Sequence, residues 1–282
     1  MEPPLRLTMS VSLGHVSFSH ATVTEAKLLS PRLRRITLQV DEPEALAVKQ
    51  AGDSAVGIYF PDPDGEGRNY SVRYSEGDRL VIDVVLHARG LATTWAAGAG
   101  PGDRVGLDHA RSWYRPEPGT DWQLLVADLA GLPATARIIE SLSGGMPVTA
   151  IVEVVDEEDL AYLPSHPALT VIPSVGTGNG HAASELARMV REYEMPAGRG
   201  YCWFAGEAAE SRAVRKYLRS AGWTIDQLDV TGYWRFDSET WEAKFALVSD
   251  EVVAVWERAG ADGKGERAAD EAYDEALERA GL

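Results

Sequence analysis

Gln123-Leu124-Leu125-Val126-Ala127, followed by Asp128-Leu129-Ala130-Gly131-Leu132-Pro133-Ala134, decides the fold. An apolar strand runs into an acid and a glycine, a helical run over Pro133–Leu142 follows, and a second strand spans Val148–Val155. The alternation continues with a strand at Leu169–Val175, a helix at Ala182–Tyr193, a strand at Tyr201–Ala205 and a helix at Ala208–Ala221. Strands separated by helices of about ten residues form βαβ units, which place parallel strands in one sheet. This half of the chain reads as α/β.

Upstream of Arg115-Pro116-Glu117-Pro118-Gly119 the pattern changes. From Val16 to about Gly106, short β-branched runs (Ala21–Leu28, Arg35–Val40, Ala55–Phe60, Tyr70–Tyr74, Leu80–His87) are separated by Ser30-Pro31, Pro61-Asp62-Pro63-Asp64-Gly65 and Glu76-Gly77-Asp78. Regular turns between alternating strands predict an antiparallel barrel or sandwich. Downstream, from Trp241, Ala and Glu dominate, with apolar residues at helical spacing in Phe245–Trp256 and Ala268–Leu277 and a break at Gly260, Gly263 and Gly265. The last acidic stretch reads as a solvated helix or a frayed terminus.

The 282 residues carry 27 Lys+Arg against 43 Asp+Glu, a formal net charge of −16, and 45% are hydrophobic. That length suits two domains of roughly 100–200 residues. The negative field argues against nucleic acid or an anionic membrane as a general partner, because like charges repel at long range. Cys202, the single cysteine, excludes an intramolecular disulfide, a structural cysteine zinc site and an iron–sulfur cluster. The six histidines show no metal-ligand spacing, Ser174 and Ser211 lack a nucleophile elbow, and no protein metal site is expected. Met1–Gly14 lacks a basic start with an apolar run, and no segment reaches the ~20 apolar residues of a spanning helix. A cytoplasmic protein is expected, without stable membrane insertion.

Two clusters could carry chemistry. In Arg68-Asn69-Tyr70-Ser71-Val72-Arg73, a period of two puts Arg68 and Tyr70 on one face and Ser71 and Arg73 on the other. Arginine forks suit phosphate oxygens, and tyrosine offers a flat surface to a planar ring; an exposed strand with surface arginines would look the same. In His87-Ala88-Arg89-Gly90-Leu91-Ala92-Thr93-Thr94-Trp95-Ala96 a strand ends and a helical turn begins, leaving backbone N–H groups free for an anion. Taken singly, His87 could be an ordinary strand-end histidine and Trp95 a core residue. Val175-Gly176-Thr177-Gly178-Asn179-Gly180 lies between a strand and a helix, but its spacing departs from Gly-x-Gly-x-x-Gly, so it reads as a flexible glycine loop ahead of a phosphate cradle.

With these motifs the chain resembles the siderophore-interacting proteins, a branch of the ferredoxin-reductase-like flavoproteins. Leu28–Leu38 looks like that family's first hairpin, Arg68–Arg73 its flavin motif, and Asp83–Ala96 its strand, histidine and pyrophosphate loop. Asp128–Ala134, Trp203–Ala208 with Arg212, Arg215 and Leu218, and Gly232-Tyr233-Trp234-Arg235 with Trp241 and Lys244 resemble its later markers, in order. The resemblance implies an FAD-binding β-barrel over 15–120, an α/β NAD(P)H-binding domain over 121–240 and a helical tail over 241–282.

Carried over by position, it implies FAD contacts from Arg68, Tyr70, Ser71, Val72, His87, Gly90, Ala92, Thr93, Thr94 and Trp95, with Tyr70 stacked on the isoalloxazine and Ser71 near N5. Asp128, Glu207, Arg212 and Arg215 would surround NADH or NADPH, and Tyr233 and Trp234 would close the flavin cleft. Arg235 and Lys244 would meet the substrate; for Lys244 an ordinary surface charge is an equal reading. The implied activity is NAD(P)H- and FAD-dependent reduction of a ferric siderophore or chelate, by a monomer, for iron acquisition. Ala127 stands where the family has glycine, Leu129-Ala130-Gly131 replaces an acidic, hydroxyl and small run, and Gly106–Arg111 lacks the family's Gly-Pro pair. Two other readings therefore stand beside the reductase: a non-enzymatic flavin- or siderophore-binding relative, and a Rossmann-type enzyme unrelated to iron built on Gly176–Gly180.

Overall fold

The computed structural model describes residues 19–60, 66–87, 90–236, 238–263 and 265–282. The expected turn Pro61–Gly65, residues Ala88 and Arg89 of the second cluster, and the stretch Met1–Gly14 lie outside the described residues.

The first half is a closed antiparallel barrel. Its strands are β1 (Ser19–Ser30), β2 (Leu33–Val40), β3 (Ala55–Phe60), β4 (Glu66–Glu76), β5 (Arg79–Val85) and β6 (Arg104–Arg111), with short helices α1 (Pro43–Leu46) and α2 (Leu91–Gly98) between them. The order β1-β2-β5-β4-β3-β6 closes where β1 pairs with β6, Ser19 opposite Leu107. Period-two alternation turns Ile36, Leu38, Val56, Ile58, Val72, Leu80, Ile82, Val105 and Leu107 into one buried core, and closure leaves no strand edge exposed. The last strand, Arg-Val-Gly-Leu-Asp-His-Ala-Arg, has too little β-branched content to stand out in the sequence.

The second half is a parallel sheet of β7 (Trp122–Ala127), β8 (Val148–Val154), β9 (Leu169–Val175), β10 (Gly200–Glu207) and β11 (Leu228–Trp234), in the order β11-β10-β7-β8-β9. Helices α3 (Leu132–Ser141), α4 (Leu186–Glu192) and α5 (Ala208–Ser220) connect them. The central strands β7 and β10 are buried along almost their whole length, as strands covered on both faces must be. The order reverses between β7 and β10, and in such sheets ligands bind in the crevice beyond the carboxyl ends at that point.

The tail forms α6 (Ser238–Phe245), α7 (Ser249–Ala261) and α8 (Glu266–Arg279). It is neither solvated nor frayed, which corrects the sequence expectation: Ala269 and Leu277 of α8 are each 1% exposed. Ion pairs lock α8 to the second domain through Arg219–Glu271 at 2.7 Å, Arg267–Asp229 at 2.7 Å and Arg215–Asp274. An acidic helix docks here because its acids meet arginines of α5. Among the described residues no helix is long and apolar enough to cross a membrane.

The halves join through Asp53, a buried barrel carboxylate. It accepts from Ser112 Oγ at 2.6 Å, the Trp113 and Tyr114 N–H groups at 2.8 and 2.7 Å, and Trp203 Nε1 of β10 at 3.2 Å. Burial pushes its pKa up, and these donors oppose the rise by favouring the charged form. Beside it, Gly52 abuts α3 so closely that a Cβ would lie 2.5 Å from Ile138 Cγ1.

Candidate functional site

Across the junction, β4 and the end of β5 face the carboxyl ends of β7 and β11. Ser71 is 7% exposed and its hydroxyl meets no hydrogen-bond partner; neither does the buried hydroxyl of Tyr233. The two are close enough for Ser71 to oppose, weakly, the large rise that burial imposes on the Tyr233 pKa. The contact between the two is weak, and a buried hydroxyl left without a full bond costs about 1–3 kcal/mol. Tyr70 packs partly on the barrel core, and burial raises its pKa as well. Arg68 donates from Nη1 to the Gly67 carbonyl at 2.9 Å.

Val72 does not fit the role its motif implies. Its side chain is fully buried in the barrel, its N–H donates to Ser54 O at 2.6 Å, and its carbonyl accepts from Arg137 at 2.8 Å. That leaves neither the side chain nor the N–H of Val72 for a cofactor. Strand alternation turns it inward, a consequence of the same period that turns Ser71 toward the second domain.

At the end of β5, the His87 N–H donates to Thr93 Oγ1 at 3.0 Å, and Thr94 Oγ1 donates to the Gly90 carbonyl at 3.0 Å. Gly90 begins α2 at φ +129°, in open space, and no side chain caps the helix. Ala92 and Trp95 pack partly on the barrel core, so they hold α2 in place. His87 lies with its ring centroid 6.4 Å from that of Trp234, and desolvation lowers its pKa.

In the second domain Asp128 is 1% exposed and faces inward. Oδ2 accepts from Trp234 Nε1 at 2.6 Å and Oδ1 from the Ala130 N–H at 2.9 Å. Burial pushes Asp128 up to about 7 against both donors, and Glu153 adds repulsion. The glycine loop is also committed. Asn179, at φ +58°, accepts from the Leu129 N–H at 2.8 Å and donates to the Glu153 carbonyl at 3.2 Å. A Cβ on Gly178 would fall 1.7 Å from a Glu153 carboxylate oxygen. The loop is thus a plug built around one asparagine, neither a flexible connection nor a phosphate cradle, and the Rossmann reading loses its site.

Glu207 spends its carboxylate on the Ala209 and Glu210 N–H groups at the start of α5. Arg215 is taken by Asp274 and the Val230 carbonyl, and is not held free for nucleotide phosphates as expected. Arg212, Arg235, Trp241 and Lys244, with Glu207 and the C-terminal Leu282, instead line a cavity of about 210 Å³ beside β11. The Arg235 guanidinium lies 3.8 Å from the Trp241 ring centroid, its Nη1 is buried without a partner, and burial with the neighbouring Arg212 lowers its pKa.

The residues fit a flavin better than a nucleotide. Orphaned hydroxyls at Ser71 and Tyr233 and the uncapped, open start of α2 are what an isoalloxazine and a phosphate would use. At the start of α3, by contrast, the N–H groups of Leu129 and Ala130 are already bonded to Asn179 and Asp128, and that of Gly131 to the Asp128 carbonyl. The sequence reading gave no role of their own to Asn179 and Trp203, although both lie in the motifs quoted above, and passed over Asp53. Asparagine between two glycines was a usable signal, since it tolerates positive φ; nothing local marked Asp53.

Comparison with known proteins agrees with this geometry. A family model described as "Siderophore-interacting protein" matches residues 120–237, and one described as "Siderophore-interacting FAD-binding domain" matches residues 65–111, together more than half of the chain. The chain belongs to the siderophore-interacting protein family. Relatives include the mycobactin import ATP-binding/permease protein IrtA of Mycolicibacterium smegmatis, 29% identical over 225 residues, 76% of this chain and 25% of that protein. The chain spans about a quarter of the length of the IrtA proteins it matches. The ferric vibriobactin reductase ViuB of Vibrio cholerae is 27% identical over 80% of this chain and 93% of its own. The NADPH-dependent ferric-chelate reductase of Escherichia coli is 24% identical over 77% and 92%.

Among solved structures, a siderophore utilization protein from T. fusca matches at TM-score 0.65 and 28% identity, over 78% of this chain and 93% of that one. The siderophore-interacting protein of Acinetobacter baumannii matches at TM-score 0.71 and 21% identity, over 83% and 98%. A ferredoxin NADP+ reductase from Neisseria gonorrhoeae matches at 0.58 and 17%, over 77% and 99%. The last two likenesses show the fold: barrel plus parallel sheet, ferredoxin-reductase-like.

Proposed function

We propose that this chain is an FAD-dependent reductase of ferric siderophores or related ferric chelates, using NADH or NADPH as electron donor. The observation that carries the reading is the pair of buried hydroxyls at Ser71 and Tyr233, which find no full partner beyond each other, beside a cavity lined by Arg212, Arg235 and Lys244 together with Glu207. The reductase names of the Vibrio and Escherichia relatives support it.

When bound, FAD would supply the conversion from a two-electron donor to a one-electron acceptor, so that one NAD(P)H serves two Fe(III) centres. The chain's own residues bind and orient. Ser71 and Tyr233 offer hydroxyls to the polar edge of the ring, Tyr70 supports it from the barrel, and Arg68 with the start of α2 at Gly90–Thr94 holds phosphate oxygens. Trp234, fixed by Asp128, borders the cleft at His87. Arg235 and Lys244 attract an anionic chelate locally, against a net charge of −16. Iron enters as substrate; Fe(II) is held less tightly than Fe(III) by oxygen-rich chelators, so reduction releases it.

A second reading, a flavin carrier without turnover, is favoured by the filled amides at the start of α3. The visible spectrum of the purified protein, with or without added FAD, tests the flavin. A protein that stays colourless and cannot be reconstituted contradicts both readings.

A further inference from the structure

Three arginines, Arg32, Arg34 and Arg35, crowd the turn into β2. Two of them are spent on acids: Arg32 pairs with Asp159 at 2.8 Å and Arg35 with Asp83 at 2.7 Å. Arg34 makes no ion pair among the described residues. Its Nη1 donates to the Ala97 carbonyl at 3.1 Å and its Nη2 to the Ala99 carbonyl at 3.0 Å, so its fork closes on the last turn of α2 and the residue that caps it. The final carbonyls of a helix have no partners within it, and a cation beside them favours the negative end of the helix dipole.

Helix α2 depends on such a hold. Its sequence, Leu-Ala-Thr-Thr-Trp-Ala-Ala-Gly, contains no basic residue of its own, and no side chain caps its start. Of its described side chains only that of Ala96 is fully buried, while Ala92 and Trp95 are partly so. Small side chains remove little apolar area from water, so packing alone pins this helix loosely. At the opposite end Gly90 stands at φ +129° with open space around it, and the bonds from the His87 N–H to Thr93 Oγ1 and from Thr94 Oγ1 to the Gly90 carbonyl shape that start. An eight-residue helix is a rod of about 12 Å, so a tilt at the Arg34 end is carried to the Gly90 end.

We propose that Arg34 is a positioning residue for FAD: by fixing the carboxyl end of α2, it aims the amide groups at the start of that helix toward the FAD pyrophosphate. Arg34 acts through the helix, from the end away from the phosphate. The proposal rests on the reading that α2 receives the phosphate.

Titration of FAD into the apo protein tests it, with Arg34→Gln, which removes the charge and the fork, and Arg34→Lys, which keeps the charge and one donor. Arg34→Gln should weaken FAD about tenfold and shift the phosphorus-31 resonances of bound FAD, with the visible bands of the ring unchanged. In the apo variant the amides of α2 should exchange with solvent about tenfold faster than in wild type, at an equal urea midpoint, because only a local opening is affected. Arg34→Lys should weaken FAD by no more than about threefold. Wild-type affinity in Arg34→Gln, or weaker binding with phosphorus signals and α2 exchange both as in wild type, would overturn the proposal. So would an Arg34→Gln protein that unfolds at lower urea or fails to fold, which would make Arg34 a structural residue. Each of these outcomes leaves wild-type FAD binding and the reductase reading intact; a wild-type protein that binds no FAD removes both.

Discussion

Two parts of the same domain junction differ in how they use polar groups. Along the seam by β2 and β5, Arg32 bonds Asp159 at 2.8 Å, Arg35 grips Asp83 in a two-pronged pair at 2.8 and 2.7 Å, and Tyr162 donates to Asp83 as well. In the cleft by β4 and β11, Ser71, Tyr233, Arg235 and Trp241 each keep a buried polar atom without a partner. The first set finds its partners within the chain and the second does not, although Ser54 Oγ and Trp122 Nε1 also lack partners away from the cleft. The seam holds the domains in register, and the cleft keeps polar atoms open to what binds there.

The two regions should therefore respond oppositely to substitution. Arg235→Glu should lower chelate reduction about 100-fold, the loss of one charge-assisted contact worth about 2.7 kcal/mol, while FAD is retained; unchanged steady-state kinetics with the chelate would sink the assignment. Asp83→Asn should lower stability by about 2 kcal/mol in urea unfolding. That is less than the full cost of breaking a buried pair, because the Arg35 side chain is 35% exposed and water screens it. An unchanged midpoint would mean that the seam does not hold the domains.

Tyr233→Phe removes an unpartnered hydroxyl. Apo stability should stay level or rise by up to about 1 kcal/mol, and FAD affinity should fall about fivefold. A variant that loses stability without FAD but keeps its affinity would erase the contrast between seam and cleft.

The smallest effect concerns pH. Asp128 keeps its proton in the fold up to about 7, above the ordinary 3.8, whereas the unfolded chain releases it near that ordinary value. From about pH 4 to 7 the native state binds more protons, so this group makes stability fall as pH rises and adds no slope above that window. Asp128→Asn should flatten that part of the profile in urea midpoints; parallel wild-type and variant profiles would contradict the buried titration.

Much of this architecture is written in local pattern. Period-two runs announced the barrel, the strand–helix alternation from Gln123 announced the sheet, and Arg68–Arg73 pointed to the strand that faces the cleft. What escaped is long-range pairing. Asp128 meets Trp234 106 residues away, and Asp53 meets Trp203 150 residues away. Motifs mark Asp128, Trp203 and Trp234 but not their partners, because each bond exists only after two domains or two ends of a sheet have come together. The tail misled for the same reason: Glu271 and Asp274 resemble solvated charge until Arg219 and Arg215 of α5 are placed opposite them. Val72 shows the converse limit, since a motif marks a strand without saying which of its residues turn inward.

The most direct measurement is an anaerobic titration of the FAD-loaded protein with NADH and with NADPH, followed by a ferric chelate. The account predicts that at least one nucleotide bleaches the oxidised flavin bands, and that the chelate restores them with two equivalents of Fe(III) consumed per flavin. Flavin that stays oxidised with both nucleotides, or that is bleached but not reoxidised by the chelate, would contradict it.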